Sequence, residues 1–316
     1  MLRPRLRVPP AGRLLRRPQC QRSIHFAPTL GKFKDDRHVP GLLSEQGYAI
    51  AWTEYMDHLN EQLTRITAET EFSDKTPLHI AKSVAREPSN AALFNYASMV
   101  HNNHFFFQGL SNLRKVYEAE AQEKKNAAEL ASPETASAEP QGQEFEPVDN
   151  ETRMSASFRR TLEAKFSSID TLRREIQATA MSMFGPGFVW LVKYPTSAEL
   201  RILVTYLAGS PYMSAHWRRQ GVDMNTSAHH PETASQFLGR SQTGAGGDNA
   251  GEFNSSKHYS PGGSDVVPLL CLNTWEHVWL ADYGIKGKAD YVNAWWHTID
   301  WTHVEYLYGR QDKLKT

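Results

Sequence analysis

Two polar stretches interrupt the periodic pattern of apolar residues along the chain, and they limit where a hydrophobic core can form. Residues 117–152 are rich in acids, alanine and proline, and residues 214–265 are rich in glycine, serine and other small polar residues. Neither stretch has enough apolar side chains to offset the entropy lost on ordering, so both are predicted to be disordered. A core must therefore be assembled from residues 40–116 and from the remaining parts of 153–310.

The apolar pattern of the first segment is helical. Between residues 43 and 68, and again over 91–116, apolar side chains recur at intervals of three and four residues, which predicts two long helices. After the acidic stretch the same periodicity returns and predicts a helix that runs to Ala180. Ser167 or Ser168 is its candidate N-cap.

A small sheet is predicted next. Residues 188–194 and 200–207 are short runs of branched and aromatic side chains around a Pro-Thr-Ser turn, which favours an antiparallel hairpin. The apolar run VVPLLCL at 266–272 is typical of a buried strand, and residues 290–310 are predicted to form a final packed helix. Helices, a small antiparallel sheet and helices again make an α+β fold.

The first 22 residues contain seven arginines and no acid, a composition typical of a mitochondrial transit peptide. The alternative is a basic arm that is retained and binds RNA. Without these arginines, 28 basic and 35 acidic residues remain, a net charge of −7. Such a surface does not favour extensive nucleic-acid contact, so protein partners are expected. Removal of the segment also removes Cys20, leaving Cys271 without a partner for a disulfide.

Three motifs occur in a fixed order along the folded part of the chain. They are FNYASMVHNNHFFFQGL at 94–110, FGPGFVWLVK at 184–193 and VPLLCLNTWEHVWLADYGIKGKADYVNAWWHTIDW at 267–301. Together they resemble the iron/manganese superoxide dismutases, over roughly residues 40–116 and 153–310. The resemblance implies an N-terminal helical domain, 40–116, packed on an α/β C-terminal domain, 153–310, with the metal between them.

The same resemblance implies four metal ligands, of which this sequence retains one. The family's histidine on the first helix falls at Gly47, the histidine on the second at Asn103, and the aspartate of its D-x-W-E-H motif at Asn273. Only His277 is kept. Glycine offers no donor atom, and a neutral amide is a poor ligand for a first-row metal ion. The resemblance therefore predicts a pseudoenzyme without a cofactor.

Nearby histidines are not expected to replace the three missing metal ligands. His104 lies one position after Asn103, which rotates its side chain by about 100° on a helix. An improvised site of His101, His104 and His277 is an alternative that this register argues against. For His277 itself, a histidine satisfied within the W-E-H turn is favoured over a vestigial ligand. Other positions that surround the family's metal are also changed, at Met99 or Phe184, Ala51 and Leu280.

The combination of lost ligands, a transit peptide and polar insertions is similar to the fungal mitochondrial small-subunit ribosomal proteins that use this fold. The motif HNNHFFF at 101–107 also looks like theirs. The resemblance implies a non-catalytic structural component of the small mitochondrial ribosomal subunit in the matrix, paired with a related superoxide dismutase-like paralogue. Glu276 and His277 are candidates for that interface, because the W-E-H glutamate reaches the other subunit in dimeric relatives.

Limited rRNA contact is also expected. Its candidates are the paired arginines Arg159, Arg160, Arg173, Arg174, Arg218 and Arg219. Two other functions remain open at this stage: an active mitochondrial superoxide dismutase with an altered metal site, and a matrix scaffold unrelated to ribosomes.

Overall fold

The computed structural model describes residues 25–34, 36–85, 87–112, 150–194, 198–212 and 266–310. Within these ranges, helices precede and follow a three-stranded antiparallel sheet, so the predicted α+β class is confirmed. The predicted transit peptide, the polar loop at 214–265 and most of the acidic insertion lie outside the described residues.

The first long helix is a continuous run over residues 45–67 that contains a π-helical turn. It consists of α1 (Glu45–Tyr48), the π turn (Ala49–Glu54) and α2 (Tyr55–Thr67). Ser44 begins it, because the Ser44 hydroxyl accepts a hydrogen bond from the backbone N–H of Gly47. The helix predicted over 43–68 is therefore present, but periodicity gave no sign of the π turn.

A short helix that the sequence analysis missed follows. It is α3 (Pro77–Val84), which Thr76 caps and which has proline in its first turn, where the missing N–H costs nothing. Its buried Ile80, Ala81 and Val84 lie on the face that packs against α4 (Ala91–Gln108). The first domain is thus built of three packed helical runs.

The prediction that the second long helix continues to residue 116 is wrong, because α4 ends at Gln108. The backbone beyond it pairs with the segment 298–300. Leu110 forms a β-bridge with Ile299, and the Ser111 N–H donates to the Thr298 carbonyl at 2.7 Å. These contacts use the polar groups that another helical turn would have required.

The acidic insertion was predicted to extend to residue 152, and this boundary is too late. A 3-10 helix covers Asn150–Arg153, and the buried Asn150 side chain donates to the Ile299 carbonyl. Two helices follow, α5 (Ala156–Phe166) and α6 (Ile169–Ser182), capped by Ser155 and Ser168. Of the two candidate caps proposed for α6, Ser168 is therefore the one used.

The sheet has the order β2-β1-β3, and both pairings are antiparallel. The strands are β1 (Gly187–Lys193), β2 (Leu200–Tyr206) and β3 (Val267–Asn273). The central strand β1 is buried along its whole length. The predicted hairpin and buried strand are both confirmed, and β3 delivers Asn273 to the end of the sheet that faces α4.

The last part of the chain forms three helices: α7 (Glu276–Tyr283), α8 (Lys288–His297) and α9 (Trp301–Arg310). The prediction of a single final helix over 290–310 is wrong, because residues 298–300 are not helical and separate α8 from α9. There the Asp300 carboxylate accepts the backbone N–H of His303 and so begins α9.

Because of this interruption, α8 packs against α6 and α7, whereas α9 packs against β3. Trp295, Trp296 and Trp301 are all buried, with edge-to-face ring contacts at 6.4 and 5.3 Å between successive members. None of the described helices is both long and apolar enough to cross a membrane.

Candidate functional site

The four positions that the resemblance assigns to metal ligands lie where the helical domain meets the C-terminal domain. Gly47 is in α1, Asn103 is in the second half of α4, Asn273 ends β3 and His277 is the second residue of α7. Gly47, Asn103 and Asn273 are buried, and His277 is partly buried.

Two of these positions are joined directly by their side-chain amides. The Asn103 amide nitrogen donates to the Ala51 carbonyl at 3.0 Å, and the Asn273 amide nitrogen donates to the Asn103 side-chain oxygen at 3.1 Å. The Asn273 side-chain oxygen accepts the Trp275 N–H at 2.9 Å. We call this chain of three hydrogen bonds the amide bridge. It connects the π turn, α4, β3 and the start of α7.

Both amides of the bridge are fully buried, so their orientation is fixed by these partners. Each amide uses its nitrogen as a donor and its oxygen as an acceptor. The main-chain carbonyl of Asn273 accepts a further hydrogen bond, from the Tyr291 hydroxyl at 2.8 Å. Each amide oxygen therefore already uses one of its two lone pairs within the fold.

Gly47 faces the carboxylate of Asp282, a residue of α7. A Cβ atom built on Gly47 would lie 2.0 Å from Asp282 Oδ2. The same carboxylate accepts hydrogen bonds from the Ser44 N–H at 2.9 Å and from the Ser44 hydroxyl. The contact between Ser44 and Asp282 could not be predicted from the sequence, because 238 residues separate them. The only local signal was a serine three positions before Gly47, a spacing typical of an N-cap.

His277 does not have the satisfied environment predicted for it. Its ring packs 4.0 Å from the ring of Tyr55 and 5.7 Å from that of Trp275. Its Nε2 atom is buried and has no hydrogen-bond partner among the described residues. Burial lowers the pKa of His277 to about 4, so the imidazole is neutral at physiological pH. Burial also raises the pKa of Tyr55 to about 12, with Tyr96 adding to the shift.

The other two histidines considered earlier lie in separate environments. His101 bonds through Nε2 to the Tyr212 hydroxyl at 3.0 Å, and His104 packs against Trp52. Desolvation lowers the pKa of His101 to about 3 and that of His104 to about 4. Among the residues that the structure describes, no three His, Cys, Asp or Glu side chains are arranged to hold a metal ion.

The donor set does not fit the iron or manganese ion that the fold family implies. Gly47 has no donor, and the space in front of it is taken by Asp282. The side-chain oxygen of Asn103 accepts a hydrogen bond from Asn273, and the side-chain oxygen of Asn273 accepts one from the Trp275 backbone N–H. His277 alone retains an available nitrogen, and one imidazole does not make a site for a first-row metal ion.

The remaining positions around this centre fall into two groups. Met99 and Ala51 are buried in the core, whereas Phe184 is 97% exposed and Leu280 is 41% exposed. Glu276 is exposed one helical turn before Leu280 on α7, and Ile285 is 85% exposed just after α7. Lys288 links this area to residue 184, because its Nζ donates to the Met183 carbonyl at 3.2 Å. We call Phe184, Glu276, Leu280 and Ile285 the α7 patch.

The candidate rRNA-binding arginines lie mainly on α5 and α6. Arg159 donates to the Glu151 carbonyl at 2.7 Å, and Arg173 donates to the Asn293 side chain at 2.6 Å, so both serve contacts within the fold. Arg160 and Arg174 are exposed, although Arg174 pairs with Asp170 at 2.8 Å. Arg218 and Arg219 lie outside the described residues.

The family comparison matches this architecture. The model for the C-terminal domain of iron/manganese superoxide dismutases matches residues 154–229 and 249–307. The chain is also 26% identical over 157 residues to the manganese superoxide dismutase of Buchnera aphidicola, covering 50% of this chain and 53% of the relative. Residues 154–229 and 249–307 therefore resemble the C-terminal domain of the iron/manganese superoxide dismutases, in agreement with the α+β fold.

The similarity extends further along the chain in another group of proteins. The chain is 26% identical over 283 residues to the small ribosomal subunit protein mS43 of Schizosaccharomyces pombe, which covers 90% of this chain and 84% of the relative. It is 26% identical over 230 residues to mS42 of the same organism, covering 73% and 72%. The proteins to which the chain is similar thus include both superoxide dismutases and small ribosomal subunit proteins.

Proposed function

We propose that this chain is a non-catalytic structural protein of the small mitochondrial ribosomal subunit. The observation that carries the proposal is the similarity to two small ribosomal subunit proteins over most of the chain. The amide bridge supports it, because the positions that would need to present imidazole and carboxylate to a metal instead hold each other. The acid-free N-terminal segment supports a mitochondrial location.

The proposed partner is a related superoxide dismutase-like chain that docks on the α7 patch. Three large apolar side chains, Phe184, Leu280 and Ile285, are exposed, and Leu280 lies one helical turn after the exposed Glu276 on α7. Apolar side chains with a charged neighbour are typical of a protein interface rather than of a surface that stays in water. The negative charge of the chain after its first 22 residues favours attachment through proteins, with rRNA contact limited to exposed arginines such as Arg160.

Sedimentation tests the ribosomal role. The full chain, tagged at its C-terminus and expressed in fungal mitochondria that lack the native copy, is followed through a sucrose gradient at moderate salt. We expect it to sediment with the small-subunit rRNA and to be released when the subunit is dissociated. Recovery only at the top of the gradient would reject the proposal.

Substitutions in the α7 patch test the pairing. Leu280→Asp and Ile285→Asp place charge in the proposed interface, and we expect each to reduce binding to the paralogue by tenfold or more. Tyr306→Asp is the matched control, because Tyr306 is a 60% exposed side chain on α9, outside the α7 patch. Equal effects from all three variants would show that the patch has no special part in the pairing.

The proposal that the chain is a pseudoenzyme has its own test. Protein purified from mitochondria is assayed for bound iron and manganese and for dismutation of superoxide. We expect less than about a tenth of an equivalent of either metal, because only one of four ligand positions carries a strong donor. Stoichiometric metal with activity would favour the alternative, a superoxide dismutase with an altered site.

A further inference from the structure

We infer that Ser44, Gly47 and Asp282 form a metal-independent clamp that joins the helical domain to α7, and that the clamp requires glycine at position 47. The clamp does not depend on the ribosomal proposal, since it concerns only how the two domains of this chain are held together. In the clamp, Gly47 leaves room for the Asp282 carboxylate, whereas the family resemblance indicates only that a ligand is missing at this position.

The close approach at Gly47 is the first argument. A Cβ atom at this position would lie 2.0 Å from Asp282 Oδ2, 2.8 Å from its Cγ and 3.2 Å from Oδ1. All three distances are shorter than van der Waals contact. Any side chain at position 47 would therefore push the exposed Asp282 carboxylate away from its present place.

The hydrogen bonds of the carboxylate are the second argument. Asp282 accepts from the Ser44 N–H at 2.9 Å through Oδ2 and from the Ser44 hydroxyl through Oδ1. The Ser44 oxygen in turn accepts the Gly47 N–H at 3.0 Å. The residue that caps α1 is thus held by α7, and a carboxylate beside the first turn of a helix is also favoured by the helix dipole.

The position of the clamp gives it consequences for the whole chain. Ser44 and Gly47 belong to the first helical run, and Asp282 lies in the last turn of α7. The Tyr283 hydroxyl adds a neighbouring bond to the Leu42 carbonyl at 2.8 Å. The amide bridge and the clamp therefore attach the first helical run to the C-terminal domain at two places, through the π turn and through α1.

A double-mutant cycle on the full chain tests the clamp. Alanine is a better helix former than glycine, so without a clash Gly47→Ala should stabilise the helix. In the presence of Asp282 the gain is cancelled, because the carboxylate loses its bonds to Ser44. We expect Gly47→Ala to lower the Tm or leave it unchanged in the wild-type background, and to raise it by about 2–4 °C in the Asp282→Ala background.

Two further variants make the cycle specific. Gly309→Ala is the matched control, because Gly309 is a helical glycine whose added Cβ would meet no atom within 4 Å. It should shift the Tm equally in both backgrounds. Asp282→Asn keeps an oxygen for the Ser44 N–H and should lower the Tm less than Asp282→Ala.

The outcome that overturns the inference is additivity. If Gly47→Ala shifts the Tm by the same amount with and without Asp282, the two residues are not coupled and there is no clamp. Should a variant unfold during purification, hydrogen exchange of the α1 amides in Asp282→Asn decides the question. Faster exchange in α1 than in wild type supports the clamp, and unchanged exchange rejects it.

Discussion

The side-chain amide of Asn273 donates a hydrogen bond to the side-chain oxygen of Asn103, joining the end of β3 to α4 across the domain boundary. Both residues have no exposed surface. A buried hydrogen bond of this kind contributes modestly when formed, but the cost of leaving either group unpaired is larger. The contact therefore makes the degenerate centre sensitive to small chemical changes.

Restoring the family's aspartate should destabilise this protein. In Asn273→Asp the donor that faces the Asn103 oxygen is replaced by a carboxylate oxygen, so two acceptors meet in a buried site. We expect a loss of about 3–5 kcal/mol in the free energy of unfolding at neutral pH. Urea unfolding measures it.

The same substitution on the exposed face of α4 provides the control. Asn95 is exposed on that helix, and Asn95→Asp should change the free energy of unfolding by less than about 0.5 kcal/mol. A buried carboxylate without a cation has a raised pKa, so the loss in Asn273→Asp should shrink as the pH falls. An Asn273→Asp protein as stable as wild type would contradict the role given to the amide bridge.

His277 should make stability depend on pH. Burial lowers its pKa from 6.5 to about 4, so the unfolded chain binds a proton in this window and the folded protein does not. The stabilising contribution of neutral His277 is fully present above about pH 6.5 and is lost as the pH falls toward 4, by at most about 1.4 kcal/mol per pH unit.

Replacing the titrating group isolates this effect. The free energy of unfolding of His277→Gln should fall less steeply than that of wild type between about pH 6.5 and 5 in urea titrations. His79 is exposed, so His79→Gln should retain the wild-type slope. Identical slopes for all three proteins would mean that His277 is accessible to solvent in the folded state.

Lys32 should stabilise the junction between the two domains. Its Nζ donates to the Gln108 carbonyl at 3.0 Å, to the Leu110 carbonyl at 3.2 Å and to the Asp300 carboxylate. Burial works to raise the pKa of Asp300, but Lys32 and the hydrogen bonds from Thr302 and His303 lower it overall.

Lys32→Met keeps much of the apolar stem of the side chain and removes all three of these bonds. We expect a loss of about 1–3 kcal/mol in the free energy of unfolding, measured in urea. In Lys75→Met, which removes an exposed ion pair with Asp74 at 3.6 Å, the loss should stay below about 0.5 kcal/mol. Equal losses in the two variants would mean that Lys32 acts as an ordinary surface charge.

A chelator should leave the stability of the wild-type protein unchanged. A metal that binds only the folded state raises the Tm, and its removal lowers it. Because the amide oxygens of Asn103 and Asn273 are already hydrogen-bonded, we expect thermal melts with and without a strong chelator to agree within about 1 °C. A fall of several degrees that manganese reverses would indicate a metal site elsewhere in the chain.

Much of the fold could be predicted because it follows from local patterns. The hairpin of β1 and β2, the buried strand β3 and the two long helical runs all have a regular apolar period. The ends of α4 and α8 could not be predicted in this way. Gly109 is the C-cap of α4 and is a local stop signal that apolar periodicity does not register. The pairing between residues 109–111 and 298–300 joins parts of the chain that are far apart in the sequence.

The candidate site shows the same limit. The family resemblance assigned Asn103 and Asn273 to ligand positions and predicted that a metal would be poorly held there. It did not indicate that the two amides bond to each other, since that depends on the distance between α4 and β3. The contact between Asp282 and Gly47 was not indicated either, because nothing in the motif LADYG shows which distant residue its carboxylate contacts.

Residues on both sides of the segment 113–149 contact Ile299. Leu110 forms a β-bridge with Ile299, and the Asn150 side chain donates a hydrogen bond to the Ile299 carbonyl. A segment whose ends are fastened together can lengthen cheaply, because each doubling of its length costs only about 0.6 kcal/mol in closure entropy. We expect insertions and deletions between residues 113 and 149 to leave the contacts of Leu110 and Asn150 with Ile299 in place. We therefore expect changes in the length of this segment to accumulate during evolution without altering the packing of the core.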